Sequence, residues 1–234
     1  MPTPDELESV LAEVGSASQR IRDALRAATA DQLAADSPLP DWTRAHVAAH
    51  VAGLSHAMAR QFEYASRGEQ IEYYTGGMEG RNAEIEVLAA RSAEQLKVEV
   101  AQALDHFAEA MGSMTPADWT RPISYREGDA FSGLEAAWRE YVIHLVDLDL
   151  GATNSEWTEA FCLNAIGFLA SRVPQGMTLV VPSGLRLGDG AEEVQADGTL
   201  QDLAAWLAGR EPVGPISFSI GHTPELGPWP ARKN

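Results

Sequence analysis

Four long stretches of helical periodicity come before any strand signal, and that order restricts the fold more than any other feature of the chain. From Asp5 to roughly Ala30, the residues Leu7, Val10, Leu11, Val14, Ile21 and Leu25 recur near helical spacing. A loop, DSPLPDW, follows, and Thr43 is placed to cap a second helix running to about Arg67. RGEQIEYYTGGMEG breaks the pattern with its glycines and reads as a loop carrying two tyrosines. A third helical region runs from about Glu79 to Met111. Within it Ser92-x-x-Gln95 fits a capping box, so two helices can meet near Arg91. Thr115-Pro116 opens a turn, TRPISYREGDAFSG looks irregular, and the fourth long helix spans about Gly133 to Leu150. Amphipathic helices with modest connections bury their stripes against one another, which is a helix bundle.

The texture changes after GATNSE, residues 151–156. A helix is expected from Trp157 to Val173, then short strands at MTLVVP, EEVQAD and ISFSIG. Between the last two lies DGTLQDLAAWLAGR, a turn followed by a compact helix with Thr199 as its cap. The expected fold is therefore mainly α with an α+β C-terminal part: a four-helix bundle over residues 1–150 and a small α+β domain over residues 151–234.

The formal charge of −17 argues against nucleic acid or an anionic membrane surface as partner, since both need basic surface. No apolar run approaches the roughly 20 residues that span a bilayer, and MPTPDELESV has no signal-peptide core. A single cysteine, Cys162, leaves no disulfide framework and no thiolate metal cage. The expectation is a cytoplasmic enzyme or binding protein, with Cys162 an ordinary buried residue.

REYVIHLVDLDLG, residues 139–151, raises the question of chemistry. Glu140, His144 and Asp147 stand at i, i+4 and i+7 and share an arc about 60° wide. Glu135 and Arg139 occupy a separate sector, so the helix has two polar stripes. One can face solvent; the other, if it faces the bundle interior, holds charge that is costly unless paired or bound to metal. A solvated face is the plainer reading of these residues alone. In DWTRAHVAAHVAG, His46 and His50 also lie one turn apart, and histidines among alanines and valines are commonly just helix residues. Taken with the pair on the fourth helix, two histidines and one carboxylate would form a set with an open coordination position, as in catalytic zinc sites. His56, His106 and His222 are read as lone histidines without a role, and Trp42 and Trp119 as packing residues.

LPDWTRAHVAAHVAG, GMEGRNAEIE and REYVIHLVDLDLG together resemble the mycothiol-dependent maleylpyruvate isomerase family, and the likeness extends through DLAAWLAGR near the end of the chain. The resemblance implies a DinB-like four-helix bundle followed by a small C-terminal α+β domain that contributes to a substrate and thiol cleft. It implies a divalent metal, usually Zn2+, on His50, Glu140 and His144, with His46 outside the ligand set and Asp147 hydrogen-bonding a ligand imidazole. Arg81 and Asn82 match the family's Arg-Asn pair, assigned here to the thiol cofactor. Arg210 matches an arginine near the substrate. One departure concerns the tail: the chain ends in GPWPARKN where a Pro-Pro-Arg-Trp-like tail is known in the family.

The implied activity is a mycothiol-dependent cis-trans isomerisation of an unsaturated carboxylic acid, maleylpyruvate to fumarylpyruvate. A thiolate formed at the metal adds to the cis double bond, the resulting single bond rotates, and elimination returns the thiol. Two other classes share the ligand set. A mycothiol S-transferase would stop after addition. A non-catalytic metal or small-ligand binder would close the coordination sphere with a fourth protein ligand such as His46 or Asp147.

Overall fold

The structure is a computed structural model that describes residues 1–230. It divides into two compact units, Met1–Gly151 and a second from Ala152 onward. In the first, α1 (Pro4–Ala27) buries Val10, Val14, Ala17, Ile21 and Leu25 on one stripe. The short α2 (Ala30–Ala34) leads to α3 (Arg44–Ser66), then α4 (Gly77–Ala89), α5 (Ala93–Ser113) and α6 (Ala130–Asp147). The four long helices α1, α3, α5 and α6 form the bundle, with α4 against α3. The expected helix pair meeting near Arg91 is present: Ser92 caps α5 and Gln95 reaches back to its amide. The last helix starts earlier than the periodicity suggested, because the Asp129 carboxylate accepts from the Ser132 amide and caps it.

Helix α3 is the hub. Ala45, Ala48, Ala49, Ala52, Gly53, Ala57 and Ala59 are buried, so neighbouring helices approach it closely on several sides. Phe62 is fully buried, with its ring 5.5 Å from that of Phe107 and 5.4 Å from that of Trp119. Gln61 ties two loops to the hub: its amide donates to the Ile71 carbonyl at 2.8 Å and its oxygen accepts from the Ser124 amide at 2.8 Å. Arg121 donates to the carbonyls of Ala65 and Ser66, closing the orphan acceptors at the C-terminus of α3.

The tyrosine loop reaches α4 through a glycine turn. Gly76 and Gly77 sit at φ of 74° and 65°, a region open to glycine at little cost. Gly80, one turn into α4, is required for a different reason: a methyl there would stand 2.0 Å from the Thr75 carbonyl oxygen. Gly80→Ala is therefore expected to lower the urea-unfolding free energy by about 1–3 kcal/mol, despite a helix-propensity gain of roughly 1 kcal/mol.

In the second unit α7 (Glu159–Leu169) and α8 (Leu200–Leu207) pack together, with β1 (Met177–Val180), β2 (Arg186–Leu187), β3 (Glu192–Asp197) and β4 (Ser217–Phe218) forming one sheet in the order β2-β1-β3-β4. Only the β1–β3 pair is parallel. The two-residue β2 was absent from the sequence expectation, being too short to show alternation. Cys162 is fully buried, and burial pushes its thiol up to about 12, so it carries no thiolate near neutrality. The last residues of the tail, 231–234, lie outside the described residues.

Candidate metal centre

The inward stripe of α6 is the one carrying Glu140, His144 and Asp147. His144 is 9 % exposed and Asp147 1 %, which excludes the solvated-face reading for that arc. From α3 comes His50, 5 % exposed. Its Nε2 lies 3.2 Å from Glu140 Oε2, and His144 Nε2 lies 3.1 Å from the same oxygen. The two imidazoles stand perpendicular, centroids 4.7 Å apart. One donor atom from each of the three residues falls within 4.8 Å of the others.

The hydrogen-bond partners assign the protons. Asp147 Oδ2 accepts from His144 Nδ1–H at 2.8 Å, while Nε2–H faces Glu140. Burial alone would push His144 down, but the Asp147 and Glu140 carboxylates outweigh it and lift the ring to about 9. His50 goes the other way, to about 4. Burial dominates there, Glu140 opposes it, and the positive charges of His144 and Arg81 add to it. Arg81 Nη2 donates to His50 Nδ1 at 3.1 Å, so that nitrogen accepts and the ring's proton sits on Nε2, toward Glu140. Burial would raise Glu140, yet the two imidazoles hold it well below the usual carboxylate range.

Two imidazole nitrogens and a carboxylate oxygen fit a borderline divalent cation. Metal–ligand bonds of about 2.0–2.1 Å at tetrahedral angles place donors roughly 3.3 Å apart, near the separations here. Asp147 sits behind the His144 ring, as a carboxylate that orients a ligating histidine. His46 is occupied otherwise: its Nδ1 accepts from the Thr43 amide at 3.2 Å, closing the start of α3, and its Nε2 faces Glu86. Neither Asp147 nor His46 joins the donor cluster among the described residues.

Around this centre, Arg81 lies half-buried over the rings of Trp42 and Tyr74, 5.7 and 6.0 Å from their centroids. The Trp42 ring also meets His50 edge-on at 5.7 Å. Trp42 is thus part of the site rather than packing alone; it lies just ahead of α3, outside the helix, so helical spacing carried no signal of its meeting with His50. Asn82 is exposed and its side-chain oxygen accepts from Arg81 at 2.9 Å, so it touches the centre only through that arginine. Arg210 belongs to the second unit, just after α8, where it is half-buried and donates to the Ala208 carbonyl.

Residues 14–149 match the family described as the mycothiol maleylpyruvate isomerase N-terminal domain. Among solved structures, the chain is similar to the crystal structure of a mycothiol-dependent maleylpyruvate isomerase, with a TM-score of 0.88, 25 % identity and 98 % of each chain covered. A mutant of the mycothiol-dependent maleylpyruvate isomerase with one histidine replaced by alanine gives a TM-score of 0.86 at 24 % identity, again over 98 % of each chain. No curated protein sequence matches.

Proposed function

The chain belongs to the family of the mycothiol maleylpyruvate isomerase N-terminal domain, and from that premise we propose that it is a mycothiol-dependent cis-trans isomerase converting maleylpyruvate to fumarylpyruvate. The observation that carries this reading is the cluster of His50, Glu140 and His144, which has three protein donors and no fourth among the described residues. Three donors leave room for an exogenous ligand, the mark of a catalytic rather than a structural centre. The same observation weighs against a closed, non-catalytic metal binder.

His50 Nε2, Glu140 and His144 Nε2 would hold a divalent cation, with Zn2+ best suited to the donor set. When bound, the cation supplies a Lewis-acidic centre that favours thiolate over thiol, and mycothiol supplies the nucleophile for addition and elimination at the cis double bond. The chain's own residues prepare that chemistry. Asp147 accepts the Nδ1 proton of His144, which leaves Nε2 for the centre. Arg81, walled by Trp42 and Tyr74, places a guanidinium beside the centre, and together with Asn82 we assign it to the thiol cofactor. Arg210 is assigned to the substrate carboxylate, for which a planar fork is suited. A reduced cytoplasmic setting goes with a free-thiol cofactor.

The test is turnover of maleylpyruvate by metal-loaded protein, followed by ultraviolet absorbance with and without mycothiol. Catalytic thiol and fumarylpyruvate as product are expected. Thiol consumed one for one would reassign the protein as an S-transferase, and no turnover would overturn the substrate.

A further inference from the structure

His56 and His106 are not isolated. They come from α3 and α5, and their Nδ1 atoms stand 3.1 Å apart, on a different flank of α3 from His50. Behind each ring is a carboxylate: Glu63 Oε1 lies 2.7 Å from His106 Nε2, and Glu99 Oε1 lies 3.5 Å from His56 Nε2. Arg91 also binds Glu99. Glu63 is seven residues after His56 on α3, and Glu99 seven before His106 on α5, so each helix presents one histidine and one glutamate on a single face.

An ionised carboxylate only accepts, so Glu63 takes the proton of His106 Nε2 and leaves the lone pair of the neutral ring on Nδ1, while Glu99 stands at ion-pair distance from His56 Nε2. Without a metal, the two Nδ1 atoms, 3.1 Å apart, share a proton from His56 to His106, and a divalent cation can take that proton's place between them. A tetrahedral metal with bonds of about 2.0–2.1 Å separates two imidazole ligands by roughly 3.3 Å, within a few tenths of what is seen. A carboxylate on the far nitrogen is how ligating histidines are commonly oriented. Glu63 and Glu99 against Arg91 leave the neutral-ring cluster with a formal charge of −1, in a chain of −17. Each histidine side chain is 33 % exposed, so water can reach the remaining coordination positions.

We propose that His56 Nδ1 and His106 Nδ1 form a second, exchangeable site for a borderline divalent metal of the Zn2+, Cu2+ or Ni2+ class, oriented by Glu99 and Glu63 and independent of the first centre. Six residues separate His50 from His56, about 9 Å along α3. Occupied, this site clips α5 to α3.

Zinc titration of chelator-stripped full-length protein, read by metal analysis and calorimetry, tests it. The unsubstituted protein is expected to take two equivalents, one tight and one weaker. His56→Ala and His106→Ala should each lose the weaker equivalent and keep the tight one; His144→Ala should do the reverse. Cu2+ added to protein already holding one zinc should show an electron spin resonance spectrum with two-nitrogen coupling, absent in His106→Ala. Glu63→Gln, which preserves shape, should weaken the second equivalent by about 10–100-fold. One equivalent in the unsubstituted protein overturns the proposal and leaves a proton-bridged histidine pair; so does a second equivalent that survives both histidine substitutions.

Discussion

His144→Ala is expected to remove the tight metal equivalent and to lower thiol-dependent turnover by about three orders of magnitude or more. A centre that stabilises developing charge is worth several kcal/mol, and a thousandfold corresponds to about 4 kcal/mol at 1.36 kcal/mol per tenfold. The loss is compounded locally. Asp147 is 1 % exposed, and without the imidazole its carboxylate loses the N–H that stabilises it in a buried place. Glu140 loses one of its two imidazole neighbours at the same time. Metal analysis and turnover on the same preparation separate binding from chemistry, and equal metal content in variant and parent would sink the site.

The second large effect is on stability. Phe62→Ala removes a ring that is fully buried between Phe107 and Trp119, and a buried Phe→Ala change costs about 3–5 kcal/mol in transfer and cavity terms. For a chain of this size that lowers Tm by roughly 10 °C. Position 62 is twelve residues beyond His50 on the same helix, so the tight metal equivalent should persist at low temperature. A scanning-calorimetry shift under 2 °C would show that the surrounding rings close over the gap, contrary to the packing described.

Much of this was legible in the residues. Apolar spacing located the bundle helices, and capping residues marked helix starts, Ser92 for α5 in the bundle and Thr199 for α8 in the second unit, because those signals are local. The inward direction of the Glu140–His144–Asp147 arc was not local: α6 has two polar stripes, and only packing against α3 decides which is buried. The resemblance supplied the pairing of His50 with that arc. Arg81 was placed by resemblance as well, but its hydrogen bond to His50 Nδ1 and its seat over Trp42 and Tyr74 needed the glycine turn at 76–77, whose exit direction no periodicity encodes. His56 and His106 failed as a sequence signal for the same reason. They are fifty residues apart, and each alone looks like an ordinary helix histidine.

The small-residue hub has a consequence for where the molecule opens. Amides in α3 are hydrogen-bonded within a helix whose sides are largely covered, so solvent deuterium reaches them only when the bundle as a whole comes apart. α4 has only Ile85 and Leu88 buried and can detach in smaller excursions. Arg81 is therefore expected to exchange with its segment in local openings, whereas the amides around His50 in α3 are expected to exchange more slowly than those of α4. The rigid half of the centre and its adjustable half are built on different tiers of the same stability ladder.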